Sequence, residues 1–390
     1  MTYTYRFASL LSDADLTELE LSNVKFDRRI IVPGSFTASF VVSNADLATE
    51  VRKVVPGKTI VHVYRDADIW GTYVIWQIRI KSVSPGNTSV EFTGASLESW
   101  FYKRIVDIDS TYNDVDQIDI FTDLVMNAQI GWSPYVDSAN LNISVQAGST
   151  GVLRDRTYLL SEAAPVGQRI EELANVDNGF EYMIKTFIDS ETNTRVRQMA
   201  WGYPEMNAEQ KAAMFEYPGN ISSYDLSYDS TEAATAFWAR GDSVDTDVTE
   251  DAEPLITASP ALSATFLEGG WPHLDKVIDY SSVSDLSTLE NYARWWRDNH
   301  AGLVFIPQME INASEIAVPF SPNELGAYAT FTITDHFFPL ITGEPTFSGQ
   351  FRIVGIEVTP PERGRAETIR FIVATDFDPT DVQFENDGEE

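Results

Sequence analysis

The sequence contains no cysteine. Disulfides, thiolate zinc sites, iron–sulfur clusters and cysteine nucleophiles are excluded together. Histidine is scarce: His62, His273, His300 and His336 are the only four. None forms H-E-x-x-H or any other i, i+4 zinc pair. Bases are few, 27 against 59 acids in 390 residues, for a net charge of −32. So acidic a chain is no general phosphate binder and is not drawn to anionic lipid. No apolar run reaches 18 residues, and the richest, Ile69 to Ile80, is interrupted by Thr72, Gln77 and Arg79. The opening MTYTYRFASLLSDADL lacks the basic and apolar regions of a signal peptide. A soluble protein with no stable membrane anchor is expected.

What is present is a folded chain. Hydrophobic residues make up 43% and charged ones 22%, which fits packed domains and not disorder. The length implies roughly two to four of them. Residues 1–104 read as a small β-domain. Thr17 to Phe26 alternates, Pro33-Gly34 turns the chain into Phe36 to Val42, and Asp46 to Val54 is a short helix stopped by Pro56-Gly57. Thr59 to Tyr64, Ile69 to Val83 and Thr88 to Gly94 follow as strands. Such spacing predicts a small barrel or sandwich.

Residues 105–220 read as an α/β insert domain. Asp116 caps a helix with Ile118, Phe121, Leu124 and Val125 inward, and Pro165 opens a second that stops near Asn178-Gly179. Phe180 to Ile188 and Arg195 to Trp201 form a hairpin. A second, discontinuous β-domain is expected over 221–248 and 315–376. A helix-containing insert at 249–314, with its helix at 285–301, is expected to pack with 105–220. Residues 377–390 are expected to form an acidic, mobile tail. The fold class is thus α+β, mainly antiparallel β.

Catalytic patterns are missing. There is no G-x-S-x-G elbow, no P-loop and no G-x-G-x-x-G after a strand. His62 alternates within a strand and is expected to pack there, and His300 suits a helix C-terminus. Among 59 acids, neighbours such as Glu171 and Glu172 or Asp107 and Asp109 carry little information. Asp242, Asp245 and Asp247 alternate as in a calcium loop, and Glu253 falls at position twelve, but Asp247 replaces the glycine at position six. Of Trp295 and Trp296, adjacent on a helix, one is expected in the core and one facing a partner. No catalytic, cofactor-binding or metal-binding residue is assigned, and no cofactor is expected.

Several runs carry a family resemblance. They are Arg6-Phe7-Ala8-Ser9-Leu10-Leu11-Ser12-Asp13, Glu18 to Phe26, Pro33-Gly34-Ser35-Phe36-Thr37-Ala38-Ser39-Phe40, and Val63-Tyr64-Arg65-Asp66 with Ile69-Trp70-Gly71-Thr72. Arg169 to Ala174 and Gly179-Phe180-Glu181-Tyr182 extend the likeness. The chain resembles minor tail proteins, the tail-tip (baseplate) hubs of long-tailed actinobacterial phages. These are similar to the baseplate hub of contractile phages and the base of type VI spikes. The resemblance covers about 1–105 well and thins after 220.

It implies two small tail-tube-like β-barrel domains with α/β insert domains, assembled as a homotrimer that continues the tail tube. It also implies no enzyme activity. Its partners would be distal tail and tail tube proteins, the tape measure protein and other tail-tip or fibre proteins. The location would be the virion tail tip, after synthesis in the host cytoplasm. DNA would pass through the lumen without specific binding. A trimer would carry −96, so an acidic wall that repels DNA is expected. A glycan-binding or glycan-cleaving host-recognition protein is the alternative, and would need an open aromatic groove with paired carboxyls. A spike base of a secretion device would share the hub fold.

Overall fold

The computed structural model describes residues 2–84, 87–176, 178–208, 210–231, 233–243, 254–280, 285–301, 304–312, 321–341, 343–345 and 347–374. In chain order the first elements are β1 (Tyr3–Ser9), β2 (Asp15–Glu18), β3 (Ser22–Arg29), β4 (Ser35–Val42), α1 (Ala45–Arg52), β5 (Thr59–Arg65), β6 (Asp68–Ser84) and β7 (Asn87–Ser96). Then come β8 (Ser110–Asp116), α2 (Gln117–Ala128), β9 (Ile143–Val145), β10 (Leu153–Tyr158), α3 (Val166–Ala174), β11 (Glu181–Ile188), β12 (Arg195–Gly202) and β13 (Gln210–Tyr217). They are followed by β14 (Ile221–Asp229), β15 (Ala236–Ser243), β16 (Pro254–Ile256), β17 (Ala261–Leu262), α4 (Ala264–Glu268), β18 (Asp275–Asp279) and α5 (Leu286–His300). The last are β19 (Val304–Asn312), β20 (Tyr328–Ile333), β21 (Leu340–Ile341), β22 (Glu344–Pro345), β23 (Phe347–Thr359) and β24 (Thr368–Val373).

The architecture is α+β and mainly antiparallel β. Two compact units form, Met1–Ser223 with Met309–Val373, and Tyr224–Gln308. The first is built on a large sheet with the strand order β24-β23-β3-β4-β7-β6-β5-β1-β2, with β20 on β23 and β13 parallel to β20. The N-terminal and C-terminal strands meet where β23 pairs with β3, Glu357 opposite Asp27 and Val358 opposite Phe26. Among the described residues no strand pairing closes this sheet on itself.

Alternation decides which face is covered. In β4, Phe36, Ala38 and Phe40 are buried while Ser35 and Thr37 are exposed. One contiguous core joins Ile60, Val74 and Phe101 to Phe121, Val125, Ile170, Leu173 and Phe180. The Phe121 and Phe180 rings meet edge-on at 5.0 Å. A second aromatic cluster, Phe215, Phe331, Phe351 and Phe371, holds β13 and β20 to β23 and β24.

Several boundaries differ from the sequence expectation. Thr17 to Phe26 is two strands, because β2 pairs with β1 while β3 pairs with β4 and β23. α1 starts one residue before Asp46, capped by Asn44, whose side chain accepts from Leu47 N at 2.9 Å. α2 begins after Asp116 as expected. α3 stops at Ala174, not at Asn178-Gly179, although Asn178 does take the left-handed conformation at φ 54.

In the second unit β15 pairs with β16, β17 and β18, and α5 seals this sheet with Leu289 and Ala293 against Ala239. Asp285 caps α5, its side chain accepting from Thr288 N at 2.8 Å. The acidic stretch 244–253 and the tail from 375 onward lie outside the described residues.

Candidate functional site: an arginine-pinned joint

The hairpin β11–β12, extended by β9 parallel to β12, makes a three-stranded sheet. Its loop is set by Asp189, whose carboxylate accepts from the backbone N–H groups of Glu191 and Thr192. Period-2 alternation puts Arg197 and Met199 on one buried face of β12, with Arg195 on the same side at its start. This face meets the turn after β1. There Asp13 takes φ 57 and donates its N–H to the Ser9 carbonyl at 2.9 Å.

Asp13 is the hub of the contact. Arg197 donates to its Oδ1 at 2.6 Å and Arg195 to its Oδ2 at 2.7 Å. Arg195 also donates to the Asp13 carbonyl at 2.6 Å and to Asp15 at 2.7 Å. The second arm of Arg197 donates to the carbonyls of Leu10 and Leu141 at 2.8 and 2.9 Å. His62, fully buried, places Nε2 2.9 Å from Asp13 Oδ1 and Nδ1 2.9 Å from Thr72 Oγ1. Burial alone would raise the Asp13 carboxyl. The His62 hydrogen bond and the two guanidiniums outweigh it and hold the acid well below the usual carboxylate range. Burial pushes His62 down, against the pull of Asp13, so the imidazole is neutral. An ionised Asp13 only accepts, so Nε2 carries the proton and Nδ1 accepts from Thr72.

Two further contacts pin the same small sheet. The outer edge of β11 is satisfied by the N-terminal β-region. Ile31 N–H donates to the Tyr182 carbonyl at 2.9 Å, Arg28 to the Ile184 carbonyl at 2.7 Å, and Ile184 N–H to Glu98 at 2.6 Å. At the start of β11, Glu181 receives a two-armed pair from Arg352 of β23, one arm at 2.7 Å. Arg352 also donates to the carbonyls of Gly326 and Met206. Exposed sheet edges invite unwanted pairing. This edge is instead capped by the side chains of Arg28 and Glu98.

The joint borders a cleft of about 880 Å³ whose walls include Arg6, Tyr64, Asp66, Asn142 and Ile188. Of its acids, Asp13 and Asp15 are paired with arginine and Asp66 accepts from the Thr2 N–H at 2.8 Å. Tyr64 is its one aromatic ring and no tryptophan lines it, which is not the aromatic groove a glycan would need. Among the described residues no cluster of three His, Asp or Glu is placed to hold a metal ion.

The other singled-out residues lie apart. His273 is exposed, 3.6 Å from Asp275, and His336 is exposed. The side chain of His300 lies outside the described residues. Glu171 accepts from the Tyr102 hydroxyl at 2.7 Å, Glu172 pairs with Arg169, Asp107 pairs with Arg104, and Asp109 accepts from Leu160 N. Trp295 and Trp296 are both half-buried, and Trp296 donates to Tyr280 OH at 2.7 Å, so neither is a core residue.

Sequence reasoning missed the joint itself. The one available signal was Arg195-Val196-Arg197, two of only 27 bases at alternate positions of a strand otherwise reading inward.

No protein-family model matches the chain, and no curated protein sequence matches it. Solved structures do. The 43 kDa tail protein of prophage MuSo2 from Shewanella oneidensis superposes with a TM-score of 0.61 at 9% identity, covering 97% of this chain and 100% of that one. A tail protein from Neisseria meningitidis gives 0.56 at 13% identity over 95% and 96% of the two chains. The prophage tail protein gp18 from Listeria monocytogenes gives 0.52 at 11% identity over 97% of each. The chain therefore has the fold of phage tail proteins along nearly its whole length.

Proposed function

We propose that this chain is a structural tail protein of a phage, the hub of the tail tip. Three copies close into a ring that continues the tail tube and guides DNA during ejection. The two β-regions of each copy act as tube-like domains, so that three chains match a six-fold tube. The partners are distal tail and tail tube proteins, the tape measure protein and other tail-tip or fibre proteins, and the protein resides in the virion. It makes and breaks no covalent bond.

The supporting observation is the full-length likeness to phage tail proteins, 97% of this chain against 100% of the Shewanella one. The joint agrees with it. A wall must keep its shape as DNA passes, and the small sheet is pinned at three places by buried arginines. No helix among the described residues is long and apolar enough to cross a membrane.

Native mass spectrometry of the purified chain tests the proposal. The expected species is three times 43.6 kDa, with ring-shaped particles by electron microscopy. A monomer persisting at high concentration, or a location off the tail axis in labelled particles, defeats it.

A further inference from the structure

One face of the large sheet has a composition unlike the rest of the chain. On β3, Val24, Phe26 and Arg28 point into the core, while Lys25, Asp27 and Arg29 point the other way. Register carries that outer face across six strands: Glu357 opposite Asp27 and Arg370, Lys25 opposite Thr37, Thr37 opposite Thr93, and Thr93 opposite Gln77. Arg79 and Lys81 continue it beside Glu91 and Ser89.

Across β24, β23, β3, β4, β7 and β6 the face holds five bases, Lys25, Arg29, Arg79, Lys81 and Arg370. Its acids are three, Asp27, Glu91 and Glu357. Bases outnumber acids here, in a chain whose overall ratio is 27 to 59. The remaining positions are largely hydroxyls, among them Thr37, Ser89, Thr93, Thr359 and Thr368. All three acids are consumed locally: Asp27 by Arg29 at 2.8 Å, Glu357 by Arg370 at 3.4 Å and Glu91 by Lys81 at 2.6 Å. Lys25 and Arg79 are exposed and form no ion pair with a described residue. A groove of about 410 Å³ lies on this face, and Arg365 and Glu310 also line its wall, one charge of each sign.

We infer that this face is the surface that meets double-stranded DNA, touching its sugar–phosphate backbone. The inference rests on the conduit reading above and names the wall that faces the passing duplex. Charge complementarity selects the occupant, because a base-rich, hydroxyl-lined face in a −32 chain suits a polyanion. It also sets the strength. Three of the five cations are internally paired, leaving two to neutralise phosphates, so contact is weak and sequence-independent. The wall is close to charge balance and not uniformly acidic, and the excess negative charge lies elsewhere. A duplex is held off neither by repulsion nor by grip.

The absence of cysteine makes a single-site proximity test clean. Thr37→Cys and Thr93→Cys on the face, and Thr192→Cys in the β11–β12 loop as control, are each purified as the full-length assembly. Each is mixed at low salt with duplex DNA carrying thiol-reactive groups on its phosphates. Adducts at positions 37 and 93 are expected several-fold above position 192. The yield should fall with salt with a log–log slope of about −1.8, two phosphates at about −0.9 each. The Lys25→Glu, Arg79→Glu double variant should remove the preference. Equal yields at all three positions overturn the inference. So does a disulfide joining two copies of the Thr37→Cys variant, or a protein adduct in whole tails, because the face is then covered by protein. A trimer by native mass without selective adducts sinks this inference alone, whereas a monomer sinks the conduit reading.

Discussion

Arg197 buries its guanidinium 2.6 Å from the carboxylate of Asp13, 184 residues away in the chain. Long-range pairs of this kind are costly to halve. Removing one partner of a buried pair leaves an uncompensated charge, at about 3–5 kcal/mol. Asp13→Ala should therefore lower stability by that order in urea denaturation, since Arg197 loses its carboxylate partner while Arg195 keeps Asp15. Arg197→Met should cost less, since Asp13 keeps Arg195, His62 and some access to water. The double variant should cost less than the two added together. A loss for Asp13→Ala within about 0.5 kcal/mol of zero, the range of ordinary surface changes, would show that the joint does not stabilise the fold.

Stability should also fall on acidification, in two stages. His62 is depressed by burial, so the unfolded chain takes up a proton near pH 6.5 while the folded chain resists. The unfolded state then binds more protons, and stability drops as pH falls below about 6.5. Asp13 is also held down, so its contribution is present above the ordinary Asp value and is lost as pH falls below about 3.9. Denaturation midpoints from pH 8 to 2 measure the first stage and the onset of the second. His62→Gln should flatten the first. An unchanged slope between pH 7 and 5 in that variant would exclude His62 as the source.

The strands were readable because alternation writes itself locally. Phe36, Ala38 and Phe40 identify β4 within eight residues, and Asp116 announces α2 one residue ahead. β8 and β10 were not readable, since sequences such as Ser110 to Asp116 have few apolar positions and pair only with each other. The joint was hidden for a different reason. Asp13, Arg197, Glu181 and Arg352 are ordinary charged residues until folding brings together positions 171 and 184 apart. The merging of the N-terminal and C-terminal strands through β3 and β23 was hidden likewise, because no local pattern names a partner strand.

Gly34 tests one motif that the sequence did expose. A Cβ there would sit 2.1 Å from the Asp27 carbonyl oxygen, which is backbone and has no easy retreat. The same turn lets Ser35 N–H donate to Asp27 Oδ1 at 2.7 Å and Gly34 N–H to Ser96 Oγ at 2.9 Å. Gly34→Ala should cost about 1–3 kcal/mol, the range for forced overpacking. Gly57→Ala serves as the comparison, because its φ is +75 but its nearest neighbour is 4.0 Å away. Only the left-handed penalty of about 1–2 kcal/mol applies there. Thermal melts of the pair should show Gly34→Ala no less damaging, with the β3–β4 amides losing hydrogen-exchange protection first.

Asp116 gives the last test, inside the α/β region. Its carboxylate caps α2 by accepting from Ile118 N at 2.8 Å, and it also gathers Ser149 Oγ at 2.8 Å and Gly151 N at 2.7 Å. Burial would raise the acid, but these donors together hold it below its ordinary value. Loss of an N-cap alone costs about 1 kcal/mol. Here the strand-to-loop connection at 149–151 loses its anchor too, so Asp116→Ala should exceed that. Asp116→Asn keeps an acceptor for Ile118 and should recover most of the helix term. Hydrogen exchange separates the two roles: Asp116→Ala should deprotect both the first turn of α2 and residues 150–152, Asp116→Asn chiefly the latter. Equal behaviour of the two variants would mean that the charge of Asp116, and not its geometry as an acceptor, holds this corner of the fold.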